Sequence, residues 1–135
     1  MVGYGNIGQR VGRLARAFGM SLLVADPRVA AEDIDEPGVR KATLEELFAG
    51  SDYVSLHLTV TPQTTGLIDQ RLLRLMKPEA RLINTSRAAV VVEEDLIVAL
   101  REKRIAGAAL DVFASEPIWR DHPFITEFDN VVITP

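Results

Sequence analysis

Three glycines within six residues, Gly3, Gly5 and Gly8, follow a short apolar stub and open a stretch of helical period. A chain that turns sharply out of a strand and straight into a helix needs that spacing. The first glycine permits the tight turn. The second lets backbone approach a diphosphate without a Cβ in the way, and the third lets helix and strand pack closely. The helix start then offers N–H groups and a partial positive charge. With Asn6 and Ile7 between them, these glycines form the expected phosphate-holding segment. Glycines so spaced also serve a bare strand-to-helix turn, so the rest of the unit has to decide.

Asp26 decides it. It closes a short apolar strand, Leu22 to Ala25, eighteen residues after Gly8, where a carboxylate accepts hydrogen bonds from the hydroxyls of an adenosine ribose. Strand, glycines, amphipathic helix, strand and acid in register favour a dinucleotide site over a bare turn. The carboxylate favours NAD over NADP, because it would repel a ribose 2′-phosphate. Arg28 could swing toward such a phosphate; its other reading is a solvated surface charge after Pro27.

Beyond this unit, apolar runs rich in β-branched residues alternate with segments of helical period. The helix after Gly8 is expected to bury Ile7, Val11, Leu14, Ala15 and Phe18. Val39 to Ala42, Tyr53 to Leu58, Arg81 to Asn84, Gly107 to Val112 and Val131 to Thr134 read as strands. Thr43 and Glu46 form a capping box for a helix carrying Leu44, Leu47 and Phe48 and stopping at Gly50. Asp69 caps another through Leu72, Leu73 and Met76, and Glu93 to Lys103 carries acids at its start and bases at its end. The expected fold is α/β: a Rossmann-type doubly wound parallel sheet in three layers, α/β/α. Numbering strands by sequence from the Met1–Val2 stub, their order is 3-2-1 then 4-5-6, with one more strand at the edge. Residues 1–135 form one such domain.

The balance of 15 Lys and Arg against 19 Asp and Glu gives a net charge of −4, with no basic cluster for nucleic acid. No apolar run reaches the roughly 18 residues of a membrane span, so a cytoplasmic protein is expected. Without cysteine there is no disulfide, thiolate metal site or thiol nucleophile, and no metal centre is expected.

Two further blocks carry chemistry. Leu82-Ile83-Asn84-Thr85-Ser86-Arg87 and Gly107 to Pro117, which includes Asp111 and Glu116, resemble the D-isomer-specific 2-hydroxyacid dehydrogenases. His57 to Ile68 and the closing Asn130 to Pro135 support the resemblance, and with the glycine segment these blocks run in family order across the chain. The resemblance implies that Arg87 grips the carboxylate of a 2-oxo acid and polarises its carbonyl. A guanidinium suits the task, since it stays charged and presents a planar fork. Glu116 matches the acid that orients a catalytic histidine, and Asp111 the acceptor for the nicotinamide carboxamide, with a structural cap for the following turn as its rival. Leu58, Thr59, Thr64, Thr85 and Ser86 complete the implied cofactor contacts.

The resemblance places the catalytic histidine directly after the final Thr-Pro. His57, in a strand block, reads as a packed or hydrogen-bonded side chain, and His122, in Asp121-His122-Pro123, as a turn residue. Only two residues precede Gly3 where a strand of about five is usual, and the family's substrate domain has no counterpart here. A domain incomplete at both ends is therefore expected, one that binds NAD(H) and catalyses little alone; the 2-hydroxy or 2-oxo acid belongs to a full-length parent. Ala88 stands where glycine is usual, Val92 where Asp or Asn is, and Thr59 where proline is. An NAD(H)-sensing, co-repressor-like binding module and a non-catalytic remnant are the alternatives. A homodimer is expected, with exchange of the short first strand as one route and Trp119 as either a contact residue or a packed loop anchor.

Overall fold

The computed structural model describes residues 1–34 and 36–134. Helices start where side chains satisfy their first N–H groups. Thr43 Oγ1 accepts from the Glu46 N–H at 3.1 Å and Glu46 Oε2 accepts from the Thr43 N–H at 2.9 Å, opening α2 (Leu44–Gly50). Asp69 Oδ1 accepts from the Leu72 N–H at 3.0 Å to open α3 (Gln70–Leu73), and Glu93, Glu94 and Asp95 place negative charge on the first turn of α4 (Glu93–Arg101).

Every strand pairing is parallel. β1 (Leu22–Val24) lies beside β2 (Val39–Lys41), and β3 (Tyr53–Leu56), β4 (Arg81–Asn84), β5 (Gly107–Leu110) and β6 (Val131–Ile133) pair in sequence order. Val2 joins the two groups: it bridges Ala25 on one side and Leu56 on the other, its N–H donating to Ser55 O at 2.9 Å and its carbonyl accepting from the His57 N–H at 2.8 Å. The first strand is thus reduced to a bridge, and the sheet runs β2-β1-Val2-β3-β4-β5-β6. That is the expected doubly wound order.

Alternation along the strands divides two cores. Val54, Leu56, Leu82, Ala108 and Leu110 face α2, α3 and α4 and pack with Leu47, Phe48, Leu72, Leu73, Leu96 and Leu100. On the opposite face a smaller cluster of Met1, Tyr4, Leu22 and Val24 packs against α1 (Asn6–Ala17) through Val11 and Ala15. Beyond α1 that face shows Tyr53, Ser55, Ile83, Ala109 and Val132, all half-buried or exposed. Among the described residues no helix is long and apolar enough to cross a membrane.

Of the expected inner face of α1, Val11 and Ala15 pack as expected, and the other three need correcting. Ile7, Leu14 and Phe18 are 67%, 63% and 83% exposed, and the fully buried residues of the helix are Gly8 and Gly12. Close approach is the reason. A Cβ on Gly12 would sit 3.1 Å from Leu22 Cδ1 and 3.2 Å from the Tyr4 ring, and one on Gly8 would run into the Gly3 carbonyl. The side of α1 that fits is the one where Gly8 and Gly12 admit close approach, flanked by the half-buried Val11 and Ala15.

Smaller corrections follow from local geometry. β3 and β5 stop two residues short of the expected Leu58 and Val112, and α3 ends at Leu73, with Leu75 and Met76 in tight turns behind it. α4 gives way after Arg101 to a turn in which Lys103 takes φ of 53°. A short helix, α5 (Pro123–Thr126), lies where a loop was expected, because Pro123 suits its first turn and His122 Nδ1 accepts from the Phe124 N–H. Trp119 is exposed, its indole N–H donating to Ser115 Oγ at 3.1 Å, so it is no packed anchor.

Candidate functional site

Strand ends and the loops after them gather at the C-terminal edge of the sheet, where the order reverses around Val2. Three adjoining hollows lie there. The first, a cleft of about 620 Å³, is lined by Gly5, Asn6, Ile7, Gly8, Asp26, Leu58, Thr59, Thr85, Ser86 and Arg87. Ten expected residues, scattered over more than eighty positions, thus meet at one opening. The second, about 650 Å³ and mostly apolar, shares Asp26 and Leu58 with the first and holds Thr64 beside Pro27, Leu44 and Leu67. The third, about 670 Å³, takes Arg87 and Glu116 together with Ala88, Val92, Glu93 and Phe113. Arg87 alone among the expected residues lines both the first and the third.

Gly3 lies beneath the first cleft rather than on its wall. Its φ of +86° makes the turn, its N–H donates to Ala25 O at 2.9 Å, and a Cβ there would approach His57 O to 2.5 Å. At Gly5 the space a Cβ would fill is open, which leaves a cradle beside the first turn of α1. Gly5 is also the N-cap and brings no side chain to the helix's first N–H groups, so they face the cleft free to bind an anion.

Asp26 is 5% exposed and held from two directions. Oδ2 accepts from the Tyr4 N–H at 2.8 Å, and Oδ1 from the Arg28 N–H at 2.9 Å and, more distantly, from Arg28 Nε at 3.5 Å. Burial pushes its pKa up, but these donors together outweigh burial and hold it below the ordinary value, so the group is an anion at neutral pH. The arginine side chain itself is 81% exposed. Glycine turn and acid are therefore one built unit, locked by the peptide N–H between Gly3 and Gly5. The buried anion, the cradle and the free helix N–H groups fit a nucleotide diphosphate with its ribose.

Other expected residues stand differently. Asp111 borders none of the three hollows; its carboxylate accepts from the Thr134 hydroxyl and its N–H donates to Asn84 O at 3.0 Å. Glu116 Oε1 accepts from the Phe113 N–H at 3.3 Å across its own loop. His122 has the expected turn role, and its Nε2 also lies 3.2 Å from Glu93 Oε1. His57 is hydrogen-bonded as expected, with Nε2 2.9 Å from Ser55 Oγ, but it also lines the first cleft; burial above all holds its pKa below the ordinary histidine value.

Sequence reasoning missed two contributors. Tyr4 acts through its backbone N–H, which no residue type announces. Asn84 is 2% exposed and its side chain is bonded to Ser86 and Arg87; a lone amide closing the apolar run Leu82–Ile83 was the available signal.

Comparison with known proteins agrees with this geometry. The family model described as "D-isomer specific 2-hydroxyacid dehydrogenase, NAD binding domain" matches residues 1–135. D-3-phosphoglycerate dehydrogenase of Synechocystis sp. is 44% identical over 135 residues, covering 100% of this chain and 24% of the relative. Glyoxylate reductase of Thermococcus litoralis is 43% identical, covering 100% of this chain and 40% of the relative. The crystal structure of a putative D-3-phosphoglycerate dehydrogenase from Ralstonia solanacearum superposes with a TM-score of 0.92 at 39% identity, covering 99% of this chain and 39% of that one. The chain spans about a quarter to two fifths of the length of these proteins. It belongs to the D-isomer-specific 2-hydroxyacid dehydrogenase family, as the NAD-binding domain.

Proposed function

We propose that this domain is the cofactor-holding portion of an NAD-dependent enzyme that moves hydride between a 2-hydroxy acid and its 2-oxo acid. One observation carries the reading: Arg87 stands where the cleft of the glycine turn and Asp26 meets the cleft of Glu116. In this reading the N–H groups at the start of α1 hold the diphosphate, Asp26 holds the adenosine ribose, and the apolar second hollow with Leu58 and Thr64 takes the adenine. The bound nicotinamide supplies or accepts the hydride. Arg87 fixes the acid's carboxylate over it, so that the reacting carbons are oriented before they meet. Glu116 orients a histidine supplied from outside these residues, which gives or takes the proton on the substrate oxygen. Asp111 accepts from the Thr134 hydroxyl at Oδ1 and keeps Oδ2 as the acceptor for the nicotinamide carboxamide. The charged Asp26 discriminates against a 2′-phosphate, and hence against NADP.

On this reading the 135-residue chain alone binds NAD(H) and turns over little substrate. NADH fluorescence titration tests it: saturable binding at submillimolar cofactor is expected, and its absence would refute the reading. We further propose that the chain pairs as a homodimer in the cytoplasm. The exposed stripe of Ile7, Leu14 and Phe18 supports the pairing, and sedimentation velocity would show it.

A further inference from the structure

Asn84 closes β4 and is one of two buried polar residues among those described, Asp26 being the other. It borders none of the three hollows, yet both ends of its carboxamide are engaged. Oδ1 accepts from the Ser86 N–H at 3.0 Å and from the Ser86 hydroxyl at 2.8 Å. Nδ2 donates to the Arg87 carbonyl at 2.9 Å. Its own backbone carbonyl accepts from the Asp111 N–H across the sheet, which ties the end of β4 to the residue after β5.

Two consequences follow. Ser86 has both of its donors turned inward, so toward a phosphate, which only accepts, it offers wall rather than a hydrogen bond; the Thr85 hydroxyl makes no bond among the described residues and is the free donor of this turn. Arg87, in turn, leaves the strand with its carbonyl pinned and its backbone extended, at φ −148° and ψ 141°. Its Nη1 donates to Ser86 O at 2.6 Å, which leaves the rest of the guanidinium fork for a ligand.

We propose that Asn84 is a positioning residue for Arg87: the buried carboxamide, bonded at its oxygen to Ser86 and at its nitrogen to the Arg87 carbonyl, sets where the guanidinium stands between the two clefts. It thereby sets affinity for the carboxylate of the acid. This rests on the reading of Arg87 given under the proposed function. An arginine whose backbone is freed from this anchor carries its side chain through more orientations that must be lost on binding, so the acid suffers more than the cofactor.

Oxalate, a planar dianion that resembles a 2-oxo acid, is the probe, added to the 135-residue chain saturated with NADH. Affinity is read from the Arg87 Nε–H cross-peak, assigned by its disappearance in Arg87→Gln. Asn84→Ala removes both tethers; Asn84→Asp keeps the acceptor toward Ser86 and turns the donor toward Arg87 O into a second acceptor. Both variants are expected to weaken oxalate at least tenfold while NADH affinity stays within threefold. Oxalate affinity unchanged in either folded variant overturns the inference and leaves the cofactor site standing. So does equal weakening of oxalate and NADH, or failure of both variants to fold, which would assign Asn84 to the fold alone. A parent chain that binds NADH but not oxalate also overturns it. One that binds no NADH refutes the proposed function and takes this inference with it.

Discussion

The two halves of the sheet are packed by opposite means. Around β3, β4 and β5, helices α2 to α4 press large side chains into the sheet, and Leu47, Phe48, Leu72 and Leu82 are wholly buried. Around Val2 and β1, α1 approaches through Gly8, against the Gly3 backbone, and through Gly12, against the Leu22 and Tyr4 side chains, and turns Ile7, Leu14 and Phe18 outward. The first half gains stability from buried volume. The second gives up volume to bring helix N–H groups and a charged acid to one opening, as an anion site requires.

The contrast is sharpest in a matched pair of substitutions. Gly3→Ala forces a Cβ to within 2.5 Å of His57 O at φ of +86°, and neither the strand end nor the turn can yield. Leu72→Ala empties a fully buried site under α3. Each is expected to cost about 3 kcal/mol in denaturant unfolding, one through strain and the other through a cavity. NADH titration should separate them: Gly3→Ala loses affinity more than tenfold, whereas Leu72→Ala, assayed where it is folded, stays within twofold. Equal losses would show that the two halves are not mechanically distinct.

Asp26→Asn comes next. The amide can accept from one of its two N–H partners only; keeping the buried Tyr4 N–H, it turns an NH2 toward the Arg28 N–H, and that opposition of donors with the loss of the charge costs about 2 kcal/mol. NADH affinity is expected to fall about tenfold. The same carboxyl gives the glycine half a pH dependence. Its folded pKa lies below the unfolded value near 3.8, so its contribution is complete above that pH and is lost as pH falls through the folded pKa. Unfolding followed below about pH 4 should show a smaller slope in Asp26→Asn than in the parent chain. An unchanged slope would mean that the Tyr4 and Arg28 donors do not hold the anion.

What could be read in advance follows the same division. α2 announced itself through Thr43 and Glu46, and the strands through runs such as Leu82–Ile83, because burial by side chains leaves a pattern in residue types. The site residues were legible where chemistry demands a particular group, as at Asp26 and Arg87. The inner face of α1 was legible only at Val11 and Ala15, because its spacing of apolar residues obeys the helical period whichever side meets the sheet, and glycine registers in such a pattern as an absence. Tyr4 was hidden for a related reason: its contribution to Asp26 is a peptide N–H that any residue but proline would bring. Asp111 illustrates the converse, since its type and strand-end position pointed toward the cleft while the Thr134 hydroxyl engages its carboxylate away from it.

The smallest expected effect bears most directly on which face of α1 is inside. Phe18 is 83% exposed at the end of α1, and its ring belongs to neither core cluster. If α1 packs through its glycines, Phe18→Ser removes no contact within the chain, and its unfolding free energy should shift by no more than about 0.5 kcal/mol. A core phenylalanine behaves otherwise: Phe48→Ala should cost about 3 to 5 kcal/mol in the same assay. The two outcomes differ enough for a single denaturation series to place the helix face. Sedimentation of the same variant reads the stripe from outside, because a ring that is idle within one chain but buried between two would lower self-association without touching the unfolding of the monomer. A loss of several kcal/mol in dilute Phe18→Ser would instead mean that the stripe meets the sheet, and that the close approach at Gly8 and Gly12 does not exist.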